Sequence, residues 1–315
     1  MTPTATTAAA ATGESAAVCA REMRPYAGAL HTAPTGKRGY LYLGFELDRA
    51  GKSILRHLER RTPLIVQQEL YFDEAMPEMP CVYILSSGGP NVDGDRYEQH
   101  FVVRRDAFAH VSTGAATKLA EMRRNYSGLR QRFELEAGAY LEYLPEPVIP
   151  CRHTRYHVET TIRIDPTATL FYAEIYLSGR RYFGAGERFC YDILSVKTQA
   201  ERPDAAPLFQ EKFIIRPDRH SPEELGAMNG YDIFANAVVL TPPEQAERLY
   251  GRTKAFIDRE CRLAAGVTRL PHASGLSYKV LGNDTGAVKR LVRNFCSEVR
   301  LCVKGRPLPE EFPWR

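Results

Sequence analysis

The sequence predicts a mainly β fold, a solenoid-like or stacked-sheet assembly of strands with a few α-helices. Three observations predict it. From Tyr40 onward, apolar residues recur with period two rather than 3.6. The apolar segments are short and rich in β-branched and aromatic residues. Turn sequences such as SSGGPNVDGD, SG and GAG separate them.

The strands can be justified in order. CVYILS at 81–86, YEQHFVVRR at 97–105 and LRQRFELE at 129–136 come first. In YHVETTIRI at 156–164, Tyr156, Val158, Thr160, Ile162 and Ile164 share one face, while His157, Glu159, Thr161 and Arg163 share the other. That is the alternation of a strand with one face on a core and one in water. Further strands are expected at 168–177, 188–197, 211–216, 232–240 and 276–282. The glycine-bearing turns between them suit hairpins, so the sheets are expected to be antiparallel. No internal repeat is visible at solenoid or propeller periods.

Helical periodicity is confined to three segments, 115–124, 242–264 and 284–305. The last is the clearest. Val288, Leu291, Val292, Phe295, Val299 and Cys302 form one stripe, Asp284 can cap the start and Gly305 can terminate it. Lys289, Arg290, Arg293, Arg300 and Lys304 are expected to crowd its outer surface. The second segment starts after Pro-Pro and carries Leu249, Phe256 and Ile257 as its apolar side.

The chain has 315 residues, 44% hydrophobic and 25% charged, which leaves room for a sizeable core. Residues 1–35 are alanine- and threonine-rich and are expected to be a disordered extension; 36–315 read as a single β-rich domain. The N-terminus lacks the basic start and strongly apolar stretch of a signal peptide. A net charge of +4, spread along the chain, argues against a nucleic-acid footprint. No apolar run approaches membrane-spanning length, so no membrane partner is expected. Seven cysteines without a C-x-x-C pair suit reduced thiols and a cytoplasmic setting.

Motifs for chemistry mostly fail. Ala50-Gly51-Lys52-Ser53 ends like a phosphate-binding loop, but Glu46 stands where its first glycine belongs and would repel phosphate. G-x-S-x-G and H-E-x-x-H are absent. Cys151, His153 and His157 are the best metal-ligand cluster by residue type, with thiolate and imidazole suited to nickel or zinc. An extended strand would, however, hold positions 153 and 157 about 13 Å apart. The loop 86–96 adds Asp93 and Asp95 as oxygen donors. Taken alone, these residues give a β-rich protein with no recognisable catalytic constellation, and they leave open a metal-dependent hydrolase using Asp93, Asp95, His153 and His157 or a plain β-rich binding module.

Islands along the chain carry a resemblance. SSGGPNVDGDRY (86–97), VSTGAATKL (111–119), YLEYLPEPVIP (140–150), SGRRYFGAGERF (178–189), GLSYKVLGND (275–284) and FPWR (312–315) occur in this order. With them the chain, from about residue 40 to 315, resembles the UreD family of urease accessory proteins, called UreH in some species. The Cys151/His153/His157 cluster is not part of that pattern. The resemblance implies a chaperone, not an enzyme, with a β-rich fold. It implies partners: a helical accessory protein (UreF), a GTPase (UreG) and urease apoprotein, with a homodimer within the complex left open. Together they insert nickel into the urease active site; GTP belongs to the GTPase, no cofactor is tightly bound here, and nickel cation binding is weak and in transit. Asp93, Asp95, Cys151, His153 and His157 are then the candidates for that passage. Asp95, Thr117, Lys118, Arg180, Glu187 and Arg188 are the polar positions that the family pattern carries over.

Overall fold

The computed structural model describes residues 19–27 and 36–310. Its strands are β1 (Arg38–Leu47), β2 (Ser53–Arg61), β3 (Leu64–Ile65), β4 (Cys81–Ser86), β5 (Arg96–Val103), β6 (Phe108–Thr113), β7 (Thr117–Leu119), β8 (Ser127–Leu135), β9 (Tyr140–Tyr143), β10 (Val148–Pro150), β11 (Arg155–Ile164), β12 (Thr169–Leu177), β13 (Ile193–Glu201), β14 (Pro207–Ile215), β15 (Ile233–Leu240), β16 (Phe256–Asp258), β17 (Leu263–Arg269) and β18 (Gly275–Gly282). Two α-helices follow β15 and β18, α1 (Pro243–Arg252) and α2 (Thr285–Lys304). One sheet has the order β14-β13-β11-β8-β5-β1-β2; the other runs β16-β17-β18-β15-β12-β9-β6-β4-β3, with β10 beside β12 and β7 beside β10.

The centre is parallel, which corrects the antiparallel expectation. β5, β8 and β11 pair in parallel in the first sheet, and β6, β9 and β12 do so in the second. The chain therefore lays one strand on each sheet in turn. A glycine- and aspartate-rich turn serves a corner between sheets as well as a hairpin, so its composition does not reveal where the next strand goes. Antiparallel pairs flank this centre, as in β1–β2, β13–β14 and β12–β15. Between successive turns, like side chains stack. Residues 32 apart meet in Gln131 Nε2 donating to Gln99 Oε1 at 2.9 Å, and the Phe101 and Phe133 rings stack at 4.7 Å. The next turn is 29 residues, bringing Thr160 Oγ1 to Gln131 Oε1 at 3.2 Å. The repeat is spatial and leaves no matching sequence period.

Leu41, Phe101, Phe133 and Ile162 from the first sheet interlock with Leu141, Tyr172 and Val238 from the second. The alternation read for 156–164 holds, with 156, 158, 160, 162 and 164 buried. A second core lies under α2, whose Val288, Val292, Phe295 and Val299 cover the outer face of the second sheet at Phe171, Ala235 and Tyr278. Asp284 Oδ1 accepts from Ala287 N at 2.7 Å, and Gly305 closes the helix at φ 72°. Phe295 sits 4.5 Å from the Tyr278 ring. Phe295→Ala should cost about 3–5 kcal/mol by opening a cavity there; a urea midpoint unchanged from wild type would contradict that burial.

Several expected elements are corrected. The helix expected over 242–264 stops at Arg252, where Thr253 Oγ1 bonds back to the Leu249 carbonyl at 2.8 Å. Phe256 and Ile257 belong to edge strand β16, and Ile257 is 74% exposed. The helix expected over 115–124 is instead β7 and a loop, because Thr117–Leu119 pairs with β10. The strand expected from 188 begins only at Ile193. Of the segment 1–35 expected to be disordered, residues 19–27 form a 3-10 turn (Arg21–Tyr26) with Met23 fully buried against Tyr126 and Ile193; the remainder lies outside the described residues, as does FPWR.

Arg300 is the largest departure. Expected on the surface, it is fully buried. Its guanidinium grips Glu142 of β9 twice, both at 2.7 Å, and also pairs with Asp73. His110 Nδ1 lies 2.8 Å from the same Glu142. Lys289 pairs with Glu146 at 2.7 Å and Arg293 reaches the Pro309 carbonyl, so most of the expected basic surface is spent inside the chain. Among the described residues, no helix is long and apolar enough to cross a membrane. None of the seven cysteines forms a disulfide.

Candidate functional site

The loop 86–96 is built by its own aspartates. Asp95 is fully buried and accepts from Lys37 N at 2.7 Å, Val92 N at 3.0 Å and the Tyr97 hydroxyl at 3.0 Å. Lys37 Nζ stands 3.1 Å away. Asp93 accepts from the backbone of Arg123 at 2.8 Å and Asn125 at 2.9 Å, tying the loop to the one after β7. Gly36 presses on Gly94 so closely that a Cβ would sit 1.9 Å from its carbonyl carbon. Both carboxylates are thus consumed as anchors.

The incomplete phosphate loop is a β1–β2 turn. Asp48 Oδ1 accepts from the Ala50 and Lys52 N–H groups at 2.8 and 2.9 Å, donors a phosphate would need. The Lys52 ammonium lies over the Tyr71 ring.

Cys151, His153 and His157 do not converge. His153 lies in a left-handed turn (φ 56°) and pairs with Asp192 at 3.0 Å. His157 Nδ1 meets Ser195 Oγ at 3.2 Å, and burial holds its imidazole below the usual pKa. Burial also pushes the Cys151 thiol up, against the thiolate a metal prefers. Among the described residues no group of three His, Cys, Asp or Glu side chains is placed to hold a metal ion.

Three of the family-pattern positions do come together. β7 and β10 pair side by side, bringing Lys118 and Cys151 to one rim, and the loop 179–187 folds over them. Gly179 is required there, since a Cβ would meet the Glu187 carbonyl oxygen at 1.9 Å with φ at +144°. Arg180 clasps Glu187 with two bonds of 2.7 and 2.8 Å, and Glu187 also accepts from Arg152 N at 3.3 Å. The Arg180 guanidinium holds the Glu187 carboxyl below its ordinary pKa. A cavity of about 510 Å³ opens between Lys118, Ile149, Cys151, Arg180, Phe183 and Glu187. Arg188 points elsewhere, pairing with Asp232 and Glu223. Thr117 lines a second cavity, of about 620 Å³, which shares Pro90 and Lys118 with the first and reaches Gln99 and Tyr156 between the sheets.

Sequence reasoning missed the interior beyond that opening. Gln131 Nε2 donates to the Tyr143 hydroxyl at 2.7 Å, Thr160 meets the Tyr172 hydroxyl at 3.1 Å, and Tyr176 donates to Glu174 at 2.7 Å. Burial pushes the Glu174 carboxyl up to about 7. The signal was present as polar residues at core-facing strand positions, Gln131, Thr160 and Glu174, within otherwise apolar alternation.

Comparison with known proteins covers the segments that carry these loops. The family model for the UreD urease accessory protein matches residues 37–315. Urease accessory protein UreD 2 of Brucella suis biovar 1 is 43% identical over 298 residues, covering 94% of this chain and 98% of that protein. Urease accessory protein UreD of Yersinia enterocolitica is 43% identical over 286 residues, covering 89% and 88% respectively. With matched segments spanning the loop 86–96, the β7–β10 rim and the 179–187 clasp, the chain belongs to the UreD family of urease accessory proteins.

Proposed function

We propose that this protein is a non-catalytic scaffold that works in the cytoplasm with a UreF-type helical protein, a UreG-type GTPase and urease apoprotein during GTP-dependent insertion of nickel. One observation carries the reading: the acidic and histidine side chains that would do acid–base or metal chemistry are bonded within the chain, Asp93, Asp95, His153 and Glu187 among them. A hydrolytic metal centre needs such ligands to converge on an open position. Nickel is cargo here, and the nucleotide chemistry resides in the GTPase; this chain's Ala50-Gly51-Lys52-Ser53 turn has spent the N–H groups of Ala50, Gly51 and Lys52 on Asp48.

The decisive test is deletion of the gene in its host, with urease assayed with and without added nickel. Activity should fall to background and return on complementation. Full urease activity in the deletion strain would overturn the proposal.

A further inference from the structure

We propose that the loop 179–187 and the cations beside it form a docking face for an acidic segment with an apolar anchor, carried by a protein of the urease-maturation assembly. The inference rests on the function proposed above.

The loop exposes large aromatic surface that the fold does not use. Tyr182 is 89% exposed and Phe183 57%. Each ring carries a cation beside it: Arg180 lies 3.7 Å over the Phe183 ring and Arg181 5.4 Å from the Tyr182 ring. The base beneath them is rigid, fixed by the Arg180–Glu187 clasp and the left-handed Gly179. Phe183 stands between two cavities of about 510 Å³ each, which share Ile149 and Arg180. Exposed aromatics on a preorganised base, with apolar hollows on both sides, are the pattern of interface anchors, where Tyr and Arg are enriched.

Charge selects the partner's chemistry. Lys118 and Arg152 are exposed at the rim of the first cavity, and neither makes an ion pair among the described residues. The acids around the two cavities are already engaged, Glu187 by Arg180, Glu121 by Arg123, Asp232 by Arg181 and Arg188, and Asp284 by the Ala287 N–H that it caps. The face therefore carries unspent positive charge around an apolar centre, and acidic groups complement it. A second copy does not: a two-fold contact would set this patch against itself, cation facing cation.

The test uses full-length tagged protein co-expressed with urease subunits and the accessory proteins, with capture measured at low and high salt. Because Tyr182 and Phe183 are exposed, the double variant Tyr182→Ala/Phe183→Ala should keep its thermal midpoint within a few degrees of wild type. It should lose at least tenfold of the captured partner at both salt concentrations. Tyr182→Phe/Phe183→Tyr, which keeps both rings, should restore capture. Lys118→Glu/Arg152→Glu should lose capture at low salt, with the gap to wild type narrowing as salt rises. Wild-type capture of every component by both folded loss variants would overturn the docking face. Loss of self-association alone, with partner capture intact, would overturn it in favour of a homodimer. If the wild-type protein captures no urease or accessory protein, it is the functional reading that falls.

Discussion

Arg300→Met should destabilise the protein by about 3–5 kcal/mol at neutral pH, because it strands two buried carboxylates. Arg300, Glu142 and Asp73 have side chains with no exposure. Burial alone would push the Glu142 carboxyl up, but the Arg300 guanidinium and the His110 contact overcome it and hold Glu142 well below the usual range. Removing the guanidinium leaves burial unopposed. The triple replacement Arg300→Met, Asp73→Asn, Glu142→Gln should recover most of the loss, since no charge then remains to be solvated. Urea unfolding of the single and triple variants reads both effects. A single-variant cost under about 1 kcal/mol would mean that water reaches these groups and that the pairing is not what holds α2 to β9.

Glu174→Gln should do the opposite and stabilise the protein above neutral pH. Glu174 is raised from 4.5 to about 7 by burial, against opposing hydrogen bonds from Tyr176 and Tyr172. A carboxyl raised in the folded state favours folding only while it is protonated, so its contribution is intact below about pH 4.5 and fades as pH climbs through about 7. At 1.36 kcal/mol per unit, the wild type should be less stable than the Gln variant by about 3 kcal/mol at pH 8, with the two converging near pH 4. Stability curves that stay parallel from pH 4 to pH 8 would show that Glu174 does not titrate in this range.

How much of this could be read in the chain depends on how local the determining interaction is. The strand 156–164 was legible because its alternation is local and matches burial residue by residue. The cap Asp284 and the terminator Gly305 were legible for the same reason. Sheet pairing was not, since parallel stacking is decided by partners 29 and 32 residues away. Arg300 illustrates the limit well: a basic residue beside an apolar stripe belongs outside by default, and only carboxylates 158 and 227 residues earlier bring it in. The site shows the same division. Asp93 and Asp95 were found as notable residues, but their use as loop anchors depends on backbone N–H groups that no side-chain pattern reports. Residues 19–27 offered only two large hydrophobic side chains, Met23 and Tyr26, and that was too weak a signal to contradict the alanine-rich composition around it.

The reach of Arg300 back to Glu142 also sets an order of events during synthesis. Glu142 leaves the ribosome 158 residues ahead of its counter-charge. At ordinary translation rates of about 5–20 residues per second, that gap lasts roughly 8–30 seconds. The stacked turns have the partners for their ladders within 32 residues and can assemble as they emerge. The outer face of the second sheet, where Arg300 pairs with Glu142 and Asp73, stays uncovered until the last helix arrives. A chain cut short before residue 300 would carry two uncompensated acids in its middle and leave open the apolar face that α2 covers. The final helix thus doubles as a completeness check, and truncated products should be the ones recognised by chaperones and proteases.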